Sequence, residues 1–333
     1  MRLSAFILCL LVTPAVAANP PWPAQPVSAV DTAMQQVVST DASLEQLADG
    51  FRWAEGPVAE PGSGDILFSD VPENKVYRWN EQQGLTVYLQ PSGYTGLYPQ
   101  NNLQEGANGL MFNADNKLVL AQHGDRRLAV LQDASGKLPR YQTLASHYQG
   151  KLLNSPNDVV QHNSGAYYFT DPPYGLKGGD DSAQKQQSVN GVYRIASDGM
   201  VTLLADNLTR PNGLAFSPDE QWLYVANSDP AAAQWWRYAV NNDGSLAKGE
   251  LFFDATAATK TASGLPDGLK VLPSGILLAT GPGGVWVISP QGEHLGTIQT
   301  GVAAANVALS ADNSWLYITA SSYLLRIKLQ PGK

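Results

Sequence analysis

Short apolar runs alternate with turn formers through residues 54–329, and the same order recurs six times. The segment "RPNGLAFSPDEQWLYVANSDPAAAQWWRYAV" (210–240) shows the grammar: a polar residue, an apolar run, a turn, a second run, another turn, and a third run carrying Trp and Tyr. The other five units are 54–80, 106–131, 155–175 closed by "GVYRI" (191–195), 265–289 and 304–329. Runs of this length, rich in β-branched and aromatic residues and bounded by Gly, Pro, Asn, Asp and Ser, predict strands in a meander. The stretches "TVYLQ", "LLAD" and "ELFFDA" between units supply a fourth strand. No segment keeps a 3.6-residue apolar period over several turns, so helices are expected to be short or absent.

The leading polar residues of the six units are Glu55, Asn108, Asn157, Asn212, Asp267 and Asn306, spaced by 53, 49, 55, 55 and 39 residues. These spacings approach the repeat of a propeller blade, about 40–50 residues, once loop insertions are allowed. They predict an all-β fold, a six-bladed β-propeller formed as one domain over 50–330. A solenoid would need capping repeats and more uniform periods. The first strand of each blade lines the central channel of a propeller, so six lead side chains would converge on one axis. A single Asn-Gly is ordinary turn chemistry. The set is harder to dismiss, because Glu55 is a poor turn former and Asn157 precedes Asp158 rather than Gly.

The amino terminus departs from this pattern. "MRLSAFILCLLVTPAVAANP" places one Arg before an apolar run and ends in Ala15-Val16-Ala17. It predicts a signal peptide over 1–17, a Pro-rich leader over 18–49, and an exported protein, periplasmic or secreted. The one cysteine, Cys9, falls inside the signal, which leaves no thiol for catalysis or soft-metal binding. No later segment is apolar over the roughly 18 residues of a membrane span, so no membrane anchor is expected. With 29 acidic against 21 basic residues the chain is acidic overall; nucleic acid, which needs a basic footprint, is an unsuitable partner.

Two carboxylates and several amides around a channel make an oxygen-only donor set, which suits a hard divalent cation. Ca2+ accepts six to eight such ligands with tolerant geometry; Zn2+, Mg2+ and Mn2+ are alternatives. Without a cation, facing carboxylates would repel and one would be driven neutral. Other constellations are missing: the sequence has no G-x-S-x-G elbow and no H-E-x-x-H helix. Of the four histidines, His162 and His294 lie in turn-like stretches, whereas His123 in "AQHGDRR" follows a second strand and is a candidate to face the site. Arg126 and Arg127 are expected to pair with Asp125 or other blades.

"AEGPV", "SPNDVV…YYFTDPPYG", "RPNGLAFSPDEQWLYVA" and "PDGLKV", in order and in blade register over about residues 50–329, resemble the gluconolactonase, senescence marker protein (regucalcin) and luciferin-regenerating enzyme family. "AQHGDRR", "NSPNDVV" and "FTDPPYG" are especially similar to its bacterial gluconolactonase branch. The resemblance implies a six-bladed propeller with a central divalent cation, usually Ca2+, that hydrolyses sugar lactones. By position it implies metal ligation by Glu55, Asn157, Asn212 and Asp267, with Asn157 between metal and substrate and Asp267 also transferring a proton. One departure stands out: regucalcin-like members carry a sugar-contacting basic residue where this chain has Ser155. Asn108, Asn157, Tyr174 and His123 are the candidate substrate-binding residues, and the inserted segments 91–105 and 176–190 are candidate roof elements. Two rival readings remain at this point. The same site would serve phosphotriesters or other esters, or the propeller would be a non-catalytic, metal-stabilised binding module.

Overall fold

The computed structural model describes residues 20–98 and 104–330; the expected signal peptide lies outside them. Six antiparallel sheets form a six-bladed β-propeller. Blade 1 comprises Ala54–Ala59, Ile66–Asp70, Lys75–Asn80 and Gly84–Leu89. Blade 2 comprises Ala107–Phe112, Leu118–Gln122, Arg127–Asp133 and Arg140–Ala145. In blade 3 the strands are Val159–Gln161, Tyr167–Asp171, Gly191–Ile195 and Val201–Ala205. Blade 4 follows with Pro211–Phe216, Trp222–Asp229, Ala232–Ala239 and Glu250–Asp254. Blade 5 contains Leu269–Val271, Leu277–Gly281, Gly284–Ile288 and His294–Gln299; blade 6 contains Ala304–Leu309, Trp315–Ala320 and Tyr323–Lys328. The only helical segments among the described residues are three 3-10 turns, Thr32–Gln36, Gly179–Asp181 and Thr256–Lys260.

The chain ends meet in blade 6, whose outer strand is Glu45–Asp49 from the amino-terminal side. Arg326 latches the junction with ion pairs to Glu45 and Glu81 at 2.7 Å each. Val27–Ala29 adds a fifth strand to blade 5 against His294–Gln299. The segment ahead of residue 50 thus contributes two strands to the sheets.

The core is divided into six apolar layers, one between each pair of adjacent blades. Period-2 geometry sends alternate side chains to opposite faces. In Ile66–Asp70, Leu67 packs toward blade 2 while Ile66 and Phe68 pack toward blade 6. In Trp222–Asp229, Leu223 and Val225 face blade 3, and Tyr224 and Ala226 face blade 5. Burial on both faces is why the second-strand runs read as continuously apolar rather than alternating. Each blade is wedged between two neighbours, so the inner strands are held around the axis.

Candidate active site

Four of the six lead residues, Glu55, Asn108, Asn212 and Asn306, sit at a repeated distortion. Pairing between the first two strands slips between Glu55 and Val58, Ala107 and Leu110, Pro211 and Leu214, and Ala304 and Asn306. Each slip inserts one extra residue on the inner strand, a bulge that bends the strand and re-aims the side chain beside it. Carbonyls at or beside the lead residues are gripped by neighbouring blades. Ser69 Oγ donates to the Asn108 carbonyl at 2.9 Å, Gly109 N to the Asn157 carbonyl at 2.7 Å, and Thr170 Oγ1 to the Asn212 carbonyl at 2.6 Å. Thr280 Oγ1 continues the pattern to the Ala305 carbonyl at 3.0 Å.

This close approach explains the glycines after the lead residues. A Cβ on Gly56, whose φ is +48°, would lie 2.1 Å from the Asn108 carbonyl oxygen, and one on Gly213 would lie 2.3 Å from that of Asp267. The recurring Asn-Gly is therefore a blade-to-blade contact.

Five of the six lead residues, Glu55, Asn108, Asn157, Asn212 and Asp267, line one cavity of about 330 Å³ at the channel mouth. Gln104, Tyr174 and Ser228 add polar groups, and Trp53, Leu265, Ala303 and Ala304 form an apolar wall. Asn306 does not line the cavity. It is buried against Gly268, and its Oδ1 accepts from Val307 N at 2.8 Å.

Glu55 is nearly inaccessible; its carboxylate accepts from Gly56 N at 3.0 Å and Trp53 Nε1 at 3.4 Å. Asn157 Nδ2 donates to Asn212 Oδ1 at 2.6 Å, and Asn212 Nδ2 donates to Ser228 Oγ at 3.3 Å. Asn157 Oδ1 and Asp267 Oδ1 are buried without a hydrogen-bond partner among the described residues. Burial pushes the Glu55 carboxyl up to about 7, with repulsion from Asp158 adding to the shift. Asp267 is raised well above its ordinary value by burial and by the charges of Glu55 and Asp158.

The sequence reading missed Asp158, which does not line the cavity but whose charge raises both Glu55 and Asp267. Its signal was available: of the two lead residues not followed by glycine, Asn157 precedes Asp158 and Asn306 precedes Val307, so Asp158 is the polar exception. Its carboxylate occupies the space over Gly109, accepts from Val159 N at 2.9 Å, and leaves Oδ2 unpartnered among the described residues. Burial raises its pKa and the nearby Lys270 opposes the shift. Trp53, Gln104 and Ser228 were also missed, since none carries a repeat signature.

His123 lies beneath the cavity. It is fully buried beside the Asn157 amide and the Gln104 backbone, and neither ring nitrogen reaches hydrogen-bond geometry among the described residues. Burial lowers its pKa to about 4, so the ring is neutral near pH 7. The adjacent arginines hold loops. Arg127 pairs with Asp125 at 2.9 Å, Asp125 caps Thr95 N at 2.9 Å, and Arg126 donates to the Leu153 and Gln184 carbonyls. Segments 91–98 and 176–190 are thereby tied to blade 2.

The donor set fits a hard divalent cation. Two partnerless buried oxygens, Asn157 Oδ1 and Asp267 Oδ1, belong to residues that line the cavity, and the Glu55 charge pushes the Asp267 carboxyl up; a divalent charge would relieve both conditions. Among the described residues no three His, Cys, Asp or Glu side chains form a metal-holding group, so asparagine amides would have to complete the set.

The chain belongs to the SMP-30/Gluconolactonase/LRE-like family, whose defining region matches residues 53–322. It is 35% identical over 300 residues to a gluconolactonase of Zymomonas mobilis, covering 89% of this chain and 83% of that protein. It is 28% identical over 301 residues to the lactonohydrolase oryL of Aspergillus oryzae, covering 82% and 67%. A solved gluconolactonase from Xanthomonas campestris superimposes with a TM-score of 0.79 at 30% identity, covering 93% of this chain and 96% of the other.

Proposed function

We propose that this protein is a lactonase that opens sugar lactones by hydrolysis, gluconolactonase-like, with Ca2+ as its cofactor. The observation that carries the reading is the convergence of Glu55, Asn108, Asn157, Asn212 and Asp267 on one cavity, with two buried oxygens left unpaired among the described residues. Its similarity to proteins named for lactone hydrolysis selects the substrate class. Fold alone would not, because propellers host many chemistries.

Glu55, Asn157, Asn212 and Asp267 would hold a divalent cation, with Zn2+, Mg2+ or Mn2+ as alternatives to Ca2+. Such a cation, when bound, supplies Lewis-acid polarisation of a carbonyl. Asp267 is the proton-transfer group. Its carboxylate accepts a proton from the attacking water and returns one to the departing ring oxygen. Asn108 and Tyr174 line the cavity where sugar hydroxyls would lie. His123, buried behind Asn157, contributes by packing rather than by touching substrate.

The apolar wall of Trp53, Leu265, Ala303 and Ala304 favours a second reading, in which the site takes esters with hydrophobic substituents, phosphotriesters included. A panel of sugar lactones and phosphotriesters, assayed after chelation and again after Ca2+ addition, separates the two. Lactone turnover restored by Ca2+ supports the first reading; phosphotriester turnover alone replaces it with the second. The amino-terminal signal directs the protein out of the cytoplasm in this account, and cleavage after Ala17 in the exported protein is the observation that tests it.

A further inference from the structure

We propose that Tyr174 is a catalytic hydrogen-bond donor to the ring oxygen that leaves during lactone opening, and that Ser155 is the residue that positions it. The inference rests on the lactonase reading above. Tyr174 does not come from a lead position. It stands on an arm, residues 171–175, that leaves the second strand of blade 3 and reaches over the cavity. Its phenol lies beside the Asn212 and Ser228 side chains on blade 4, with the Asp267 carboxylate of blade 5 close by. A polar group is thus delivered to the end of the cavity where Asp267 exchanges protons.

The arm is built to hold that aim. Ser155 Oγ donates to the Pro172 carbonyl at 2.6 Å and accepts from Gly175 N at 2.8 Å, clamping the backbone on both sides of Tyr174. The Asp171 carboxylate accepts from Asn154 N at 2.7 Å and Ser155 N at 2.8 Å, fixing the base of the arm to the clamp. Pro172 and Pro173 restrict φ within it. A Cβ on Gly175 would lie 2.6 Å from Ser155 Cβ and 2.8 Å from His123 Cβ, so a residue without a side chain lets the arm sit this deep. Ser155 itself has no solvent exposure and does not line the cavity; it acts through the arm.

In the reaction, water adds its hydroxyl to the acyl carbon while the bond from that carbon to the ring oxygen breaks. The proton that water gives up passes through Asp267 to the ring oxygen, and the product is the open hydroxy acid. Tyr174 keeps its own proton throughout and offers it as a hydrogen bond while negative charge builds on the ring oxygen. A preorganised donor aimed at developing charge acts in the transition state more than in the ground state.

The test is a double-mutant cycle on the full chain with Ca2+ and a sugar lactone, using Tyr174→Phe, Ser155→Ala and the pair. Tyr174→Phe is expected to lower kcat about 10²-fold, as loss of one preorganised donor does, with KM nearly unchanged and Ca2+ affinity and Tm retained. Ser155→Ala is expected to lower kcat about tenfold through misplacement of the arm, and to have no further effect once Tyr174 is Phe. Ser155→Cys, which keeps the shape of the side chain in a slightly larger volume but bonds weakly, should repeat the alanine result. A Tyr174→Phe enzyme with wild-type kcat would overturn the proposal. Effects of the two substitutions that multiply would overturn the positioning role of Ser155. A wild-type protein that turns over no lactone sinks the parent reading, and this one with it.

Discussion

Asn157 donates its amide to Asn212 Oδ1 at 2.6 Å, joining the lead residues of blades 3 and 4 and leaving Asn157 Oδ1 buried and unpaired among the described residues. The pair is one unit: the Asn212 oxygen that a cation would take is the one that holds the Asn157 amide in place. Asn212→Ala is expected to lower Ca2+ affinity at least tenfold, the lower range for loss of an ordering partner. Titration calorimetry on chelator-stripped protein measures this. Equal affinities in variant and wild type would exclude Asn212 from the site.

Asp267→Asn retains an oxygen atom and the side-chain volume while removing a charge and a base. Turnover should fall by about 10²–10⁴-fold, the range for a general acid–base group, with the fold retained by circular dichroism. A variant with near wild-type kcat would remove Asp267 from the proton-transfer role.

Gly213→Ala tests whether blade contacts set the geometry of the site. Its new Cβ would fall 2.3 Å from the Asp267 carbonyl oxygen, a backbone atom that cannot swing aside. The substitution should cost about 1–3 kcal/mol, as overpacking in a well-filled core does, and should weaken Ca2+ binding together with stability. Unchanged thermal and Ca2+-binding curves would contradict the account of the recurring glycines.

Asp171 gives a pH signature. Burial pushes its carboxyl up to about 7, even though two backbone N–H groups and Arg126 favour the ionised form. The folded chain therefore holds a proton there that the unfolded chain releases near pH 4. With more protons bound in the folded state, the contribution of this group to stability is greatest below about pH 4 and declines as pH rises toward about 7. Asp171→Asn should flatten that part of the decline in denaturant titrations across the window. The same slope in both proteins would contradict it.

The blade count was legible because the lead residues recur in register and because two-faced burial makes each second strand a continuous apolar run. The strands at Val27–Ala29 and Glu45–Asp49 were not legible. One is three residues long, and the other is partly exposed and carries Glu45 and Asp49, so neither shows an apolar run. The convergence of Glu55, Asn157, Asn212 and Asp267 followed from the repeat. Burial of His123 beneath the cavity did not, since a histidine after a strand can face either way, and the structure turns it under Gly175. Ser155 was noted only for the absence of a basic side chain; its clamp on the Tyr174 arm depends on a contact across 20 residues of chain that no local pattern encodes.

The account stands or falls on oxygen atoms from separate blades gathering one ion that enables lactone opening. Acid release from a sugar lactone, followed while Ca2+ is titrated into chelator-stripped protein, tests this most directly. The predicted result is no turnover without the ion and saturable recovery on its addition, with recovery lost in Asp267→Asn. Full lactone turnover by the stripped protein, or none at any Ca2+ concentration, would contradict it.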